Sequence, residues 1–329
     1  MAERLNAQQW AAYWQNHTIT SFHGAFAHNY DGPIKAFWQE VFSRLPENSS
    51  ILDLGTGNGA LALLAVEYAH THDSHFQVTG IDFADIQPSQ LEDKNPLLRE
   101  IRFIGNTPME NTALEPASQD LIMSQFGFEY GDMQASLKEV KRLLKPENGC
   151  FIAMIHHQDS AVLKQAREAL QQIRRCENSG LTEKAERLVM LQQILAKNGH
   201  LTAAQQQQAQ QLHQSFTQGI DKLNRYARQL KDPSHVQIFT RNLMTLFNRH
   251  NAARISPEQR LKAIALLRNE NENYRQRMKD LRTAAYSEQD FTALQQALKK
   301  NGWQIKSTAR QQYNGQHFCN HVVACAGKA

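Results

Sequence analysis

The chain has 329 residues, 41% of them hydrophobic and 21% charged, with a formal net charge of +4. That is enough apolar material for a sizeable core, in one large domain or two. No apolar run approaches the roughly 20 residues needed to span a bilayer. The first residues also lack the basic-then-apolar layout of a secretion signal. An integral membrane protein is therefore not expected, and cytoplasmic residence is. Cys150, Cys176, Cys319 and Cys325 are too scattered to announce a zinc or disulfide framework.

Residues 1–49 read as helices ahead of the first strand, an N-terminal helical lid. Trp10, Tyr13 and Trp14 share a face at 3–4 spacing, which suits packing against the domain. Asp31-Gly32-Pro33 reads as a helix start, with Asp31 as cap and Pro33 in the first turn. Ile34, Phe37, Trp38 and Val41 follow at helical spacing as core contacts.

Next comes the most informative stretch, Ile51-Leu52-Asp53-Leu54-Gly55-Thr56-Gly57-Asn58-Gly59. It reads as a buried strand entering a glycine turn, with a helix over Ala60 to Ala69 behind it. Glycines there permit positive φ and close approach of a ligand to the backbone. The emerging helix aims free N–H groups and its positive end at the same place. Such a turn receives a nucleotide-like cofactor. Gln77 to Asp82 then reads as a second strand ending in an acid, and Asp82 lies 29 positions after Asp53. An acid there can accept hydrogen bonds from both ribose hydroxyls. The glycine spacing is G-x-G-x-G, which differs from the G-x-G-x-x-G of dinucleotide folds.

The run D-L-G-T-G-N-G followed by G-I-D resembles motifs I and II of class I S-adenosylmethionine-dependent methyltransferases. Further elements of that family follow in order. Phe103 to Asn106 resembles the third strand and the loop that cups the adenine. Asp120 to Glu129 resembles the fourth strand and its exit, Val140 to Gly149 the next helix and turn, and Phe151 to Ile155 strand five. The resemblance covers about 20–158 and resumes from about 287. It implies an α/β fold, a seven-stranded doubly wound (Rossmann-like) sheet, with S-adenosyl-L-methionine as cofactor. It implies cofactor contacts at Asp53, Gly55, Thr56, Gly57 and Gly59, at Asp82 and Phe83, at Asn106 and Thr107, and at Ser124 and Gln125. Family members often carry Asp where Asn106 stands, and Asn can still accept a hydrogen bond from an amino group. Tyr30-Asp31 looks like the Tyr-Asp pair that closes over the cofactor in small-molecule members. Plain packing for Tyr30, an ordinary loop role for Asn106 and loop support for Gln125 stay open.

Between strands five and six this family normally has one helix, yet here residues 160–286 intervene and read as almost wholly helical. Leu163, Ala166, Leu170 and Ile173 mark one stripe. Thr182 reads as the cap of a helix carrying Leu188, Leu191 and Leu195, and a glutamine-rich helix follows Thr202. Phe239, Leu243, Leu246 and Phe247 mark a fourth. Ser256-Pro257-Glu258-Gln259 is a capping box opening a long helix to about Thr283. Ser287 to Asp290 caps another, carrying Phe291, Leu294 and Leu298 and ending at Gly302. Trp303 to Tyr313 and His317 to Ala326 read as a hairpin around Asn314-Gly315. The domains are thus 1–49, a core of 50–159 with 287–329, and a helical insert of 160–286.

The insert holds 21 Lys and Arg against 10 Asp and Glu, a net of +11, and the remainder is −7. This is either a solvated basic surface or a face for an anionic partner. Too few aromatics interrupt it for a stacking platform. A stripe left exposed on it would allow pairing with a second copy.

Methyl transfer asks the protein to align a nucleophile and, where that nucleophile carries a proton, to supply a base. Candidates where strands four and five end are Ser124, Gln125, Glu129, His156 and His157, with Glu129 and the two histidines as the catalytic ones. Adjacent strand-end histidines point to opposite faces, so at most one meets the methyl group. Ser124-Gln125-Phe126-Gly127 lacks the Asn/Asp-Pro-Pro-aromatic run of adenine-amine enzymes and the Pro-Cys of cytosine-C5 enzymes. A small acidic or amphipathic acceptor selected by the insert is the leading reading. RNA modification through the basic insert is the second, and a non-catalytic cofactor-binding docking protein the third. No metal is implied.

Overall fold

The structure is a computed structural model that describes residues 4–15, 18–21, 26, 28–248 and 254–327. Residues 1–3, 16–17, 22–25 and 27 of the expected N-terminal lid lie outside the described residues.

Strand β1 (Ser50–Leu54) is apolar on both faces because it pairs in parallel on both sides, with β2 (Gln77–Ile81) and β4 (Leu121–Gln125). β3 (Arg102–Ile104) and β5 (Cys150–Ile155) extend the sheet in parallel. β6 (Trp303–Tyr313) and β7 (Gln316–Ala326) form the antiparallel hairpin, and β7 inserts beside β5. The order β3-β2-β1-β4-β5-β7-β6 makes a seven-stranded Rossmann-like sheet. Its order reverses between β1 and β4, and the crevice beyond the carboxyl ends of those strands is where such sheets hold ligands.

Helices α1 (Ala7–Trp14) and α2 (Gly32–Phe42) precede the sheet. Ile34, Trp38 and Phe42 on α2 are fully buried, each worth about 1.5–3 kcal/mol of transfer free energy. Helix α3 (Ala60–His72) is apolar nearly all round and buried accordingly. α4 (Met133–Leu143) lies between β4 and β5 in sequence and adds Leu137, Val140 and Leu143 to the core. Asn314 and Gly315 both take positive φ, the conformation a tight hairpin turn needs.

Between β5 and β6 run α5 (Ala161–Glu177), α6 (Leu181–Asn198), α7 (Ala203–Ala227), α8 (Ser234–Phe247), α9 (Pro257–Ala284) and α10 (Glu288–Lys300). Two compact units result, one of residues 1–164 with 280–329 and one of 165–279. The second has its own core, in which Leu181, Phe216, Ile220, Phe239, Leu243 and Ile264 meet. Capping boxes at Thr202, Ser256 and Ser287 start their helices as the spacing foretells.

Three readings are corrected. Thr182 is not a cap: Gly180, at φ +61°, starts α6 and Thr182 sits inside it, while Leu195 of the same stripe is 44% exposed. Asp31 stands at the N-cap of α2 but makes no capping bond, since its Oδ1 accepts from the Tyr313 hydroxyl at 2.7 Å. Cys150 and Cys325 are disulfide-bonded. They are direct partners across β5 and β7, a proximity that 175 residues of separation conceal.

This bond gives a test of the β5–β7 register. Alkylation of the denatured protein without reductant should block only Cys176 and Cys319, which the fold buries, and reductant should lower the melting temperature of the folded protein. Closing so long a loop typically adds about 2–4 kcal/mol. Four blockable thiols in the protein denatured without reductant would show the pair unlinked.

Candidate active site

The glycine turn is built from the end of β1 into α3. Gly55, Gly57 and Gly59 all have positive φ. At Gly57 the need is doubled, because a Cβ would fall 2.4–2.8 Å from ring carbons of Trp14. Asn58 fastens the N-terminal segment at this point, its Nδ2 donating to the carbonyls of Trp14 (2.9 Å) and Thr18 (2.8 Å). Sequence reasoning assigned Trp14 to packing and gave Asn58 no role. Asn58 stands at an unspecified place of the G-x-G-x-G motif, so no local signal marked it.

Two buried carboxylates support the turn from below. Asp53 Oδ2 accepts from Thr56 Oγ1 at 2.6 Å, and a bond from the Ala62 amide ties the same group to α3. Asp82 Oδ2 accepts from Gly57 N and its Oδ1 from Ala84 N, both at 2.8 Å. Burial drives the Asp53 pKa up to about 7 against the lowering effect of these bonds, and drives Asp82 up to about 6. Phe83, beside Asp82, is half exposed. Asn106 is exposed at φ +51°, its N–H bonded to Ala84 O, and Thr107 N donates to Asp82 O at 2.8 Å. Thus, Tyr30, Ser124 and Gln125 apart, the β1, β2 and β3 exits gather the proposed cofactor residues around one turn.

These residues fit an S-adenosylmethionine cofactor. A Cβ at any of the three glycines would meet protein atoms, Gly127 at Gly55, Trp14 at Gly57 and Phe103 at Gly59, so the turn keeps its bare backbone. The Asp82 carboxylate has about four lone-pair sites and spends two on amides, leaving capacity for ribose hydroxyls. Asp53, by contrast, works on the turn and on α3.

On the other side of the crevice, Ser124 Oγ donates to Leu54 O (2.8 Å) and accepts from Phe128 N (3.0 Å), binding the β4 exit to the β1 exit. Gln125 Oε1 accepts from the Trp38 indole at 2.5 Å and lies in hydrogen-bond reach of Tyr30. Tyr30 is buried, which raises its hydroxyl pKa and keeps it neutral. Its ring meets Phe26 (5.1 Å) and Phe126 (6.4 Å), and Phe126 meets Phe318 (5.7 Å). Phe126 has φ +61°, uncommon for a bulky residue and a place where backbone strain is held.

Phe126 stacks on His156 at 4.3 Å. Glu129, in a short 3-10 turn over Phe128–Tyr130, puts Oε1 2.8 Å from the His156 amide and 2.7 Å from His156 Nδ1. Both side chains are almost wholly buried, and Glu129 Oε2 has no hydrogen-bond partner among the described residues. A carboxylate only accepts, so Nδ1 carries the proton and Nε2 is the basic nitrogen. His157 points elsewhere, its Nε2 3.3 Å from Glu288 and its ring 5.3 Å from that of His317. Burial, then the nearby His317, lowers its pKa. The structure brings Glu129 and His156 together and leaves His157 outside.

Residues 51–147 match the model of a family described as a methyltransferase domain. With the glycine turn and strand order above, that match marks residues 51–147 as a methyltransferase domain, and S-adenosylmethionine is the cofactor expected for that family. No curated protein matches this sequence. Among solved structures, an S-adenosylmethionine-dependent methyltransferase from Aquifex aeolicus is 12% identical over 96% of this chain and 98% of its own, with a TM-score of 0.45. The YcgJ protein of Bacillus subtilis is 22% identical over 43% of this chain (TM-score 0.33). The 1,6-didemethyltoxoflavin-N1-methyltransferase of Burkholderia thailandensis is 19% identical over 39% (TM-score 0.30). The chain spans 58% and 52% of the lengths of these last two.

Two outcomes follow for the cofactor side. Gly57→Ala should displace the Trp14 indole, seen as a change in tryptophan fluorescence, and weaken S-adenosylmethionine binding by calorimetry. Unchanged affinity would remove the turn from the site. The raised acids give a pH dependence. Their unfolded pKa values are lower, so their contribution to stability is full below about pH 4 and is lost as pH rises through about 6 and 7. The sulfonium cation favours the ionised forms, so cofactor affinity should rise between about pH 5 and pH 8. A flat profile would uncouple both acids from the cofactor.

Proposed function

We propose that this protein transfers a methyl group from S-adenosylmethionine to a small acidic or amphipathic molecule, with His156 as general base and Glu129 as the group that positions it. The observation carrying this reading is the buried Glu129–His156 hydrogen bond beside the β4 exit, with Glu129 Oε2 left unpaired. When bound, the cofactor supplies an electrophilic methyl group. His156 Nε2 then takes the proton that the acceptor atom must lose as its bond to carbon forms. Glu129 fixes the tautomer that makes Nε2 available and stabilises the imidazolium that results. Glu129 Oε2 is an acceptor for a second donor on the substrate. The aromatic walls of Tyr30, Phe126 and Phe318 keep water from the transfer.

The insert's net charge of +11 supports a second reading, in which RNA phosphates bind there. Against it, the Ser124-Gln125-Phe126-Gly127 exit lacks the nucleobase-enzyme patterns. No helix among the described residues is long and apolar enough to cross a membrane. A cytoplasmic setting completes the proposal, and it requires that Cys150–Cys325 be reduced there, since such compartments keep thiols free.

The test is transfer of labelled methyl from S-adenosylmethionine into separated small-molecule and RNA pools of a cell extract. Label in the small-molecule pool supports the reading, and label confined to RNA overturns it. On the acceptor so found, His156→Gln should lower kcat by about 10²–10⁴. Glu129→Gln, which keeps the bond to the His156 amide, should lower it less and shift the pH profile. Full activity in both variants would eliminate the base.

A further inference from the structure

Helices α7 and α8 are joined by a short turn and lie side by side, and a trough of about 860 Å³ runs between them. Phe216 and Ile220 form its floor, each almost buried, and Met244 stands half exposed on its wall. A second hollow of about 500 Å³ shares Asn224 and Gln237 with the first and continues it toward the α7–α8 turn. Arg228 and Lys231 line that end. From Phe216 to Ala227 the helix rises about 16 Å at 1.5 Å per residue, the scale of an extended long-chain acyl group.

The charges along this path are one-sided at the turn. Ion pairs in the insert are made by Lys262, Arg268 and Arg275. Among the described residues Arg228, Lys231 and Arg241 take part in none. Two acids lie near. Asp232 turns its carboxylate onto the start of α8, where Oδ1 accepts from Ser234 N (3.0 Å) and from the Ser234 hydroxyl. Asp221 lines the trough midway, as does Arg241, with no ion pair between them. The result is an apolar floor leading to two cations without counter-ions. The apolar residues are recessed in the floor, where a single chain can reach them, whereas insertion into a bilayer needs them projecting.

We propose that the α7–α8 trough binds a free long-chain acyl anion, with the hydrocarbon over Phe216, Ile220 and Met244 and the carboxylate at Arg228 and Lys231. Burying the chain supplies the affinity, and the paired cations fix its direction. The inference rests on the insert alone, so it stands or falls apart from methyl transfer.

The test titrates dodecanoate, below its micelle-forming concentration, into the full chain by calorimetry and saturation-transfer NMR. Methyl dodecanoate and vesicles of phosphatidylglycerol serve as comparisons. One-site saturable binding of the anion is expected, weaker by about tenfold or more for the ester. Met244→Asp and the double variant Arg228→Glu/Lys231→Glu should each weaken the anion comparably, with melting temperatures held near that of the wild type. Absence of saturation, equal binding of ester and anion, or indifference to both variants would overturn the proposal. Binding to vesicles without binding of monomeric dodecanoate would replace it with a membrane contact.

Discussion

Asp82 accepts one backbone N–H from Ala84, at the exit of its own strand, and one from Gly57, at the exit of the neighbouring β1, while nearly buried. Those two bonds set where the second glycine of the turn stands relative to β2. The turn's position in turn sets where α3 begins and which face of the backbone stays open. Thr56 completes the frame: its amide donates to Ile81 O and its hydroxyl to Asp53, so two buried acids grip a turn in which every second residue is glycine. Holding two carboxylates so close to burial raises their pKa values, and that cost is relieved when positive charge arrives. The same contacts that shape the turn therefore favour a cationic cofactor over its neutral product.

The acceptor side is joined to this frame by backbone contact. A Cβ on Gly127 would lie 2.8 Å from Leu54 O, so the exits of β1 and β4 touch main chain to main chain. Ser124 fills the remaining gap by bonding both Leu54 O and Phe128 N. With β4 so tightly seated, the chain leaves it through the left-handed conformation of Phe126, whose amide is held by Met154 O. That reversal is what brings Glu129 back against His156. Ser124, a candidate ligand by resemblance, is thus occupied in holding the two halves of the crevice in register.

Much of this was legible because it is local. Apolar strands, glycines with positive φ and capping boxes leave their marks within a few residues, and Gly57, Asp82, Thr202 and Ser256 stand where the sequence puts them. What escaped depends on distant partners. Cys150 and Cys325 become neighbours only once β7 turns antiparallel between β5 and β6. Asn58 matters through Trp14 and Thr18, some 40 residues earlier. Asp31 has a capping residue's identity and position, but the hydroxyl of Tyr313, 282 residues away, takes its carboxylate. Glu129, His156 and His157 were equal candidates in sequence. Their separation into one buried pair and one outlier comes from strand geometry and from the turn at Phe126.

The two sides of the crevice differ in how much they say about the reaction. Backbone amides and Asp82 form the side that fits the cofactor, which is the same for every acceptor, so that side is silent on the substrate. The other side presents Tyr30, Phe126 and Phe318 with one acid–base pair set among them. The carboxylate of Glu129 is buried there, and Arg4 lies close by, its guanidinium donating to the carbonyl of Tyr130. An acid–base pair of this kind can serve any acceptor whose reacting atom carries a proton, whatever the acceptor's class. The insert's positive charge then acts on whatever anionic ligand binds there, and need not describe the atom that receives the methyl group.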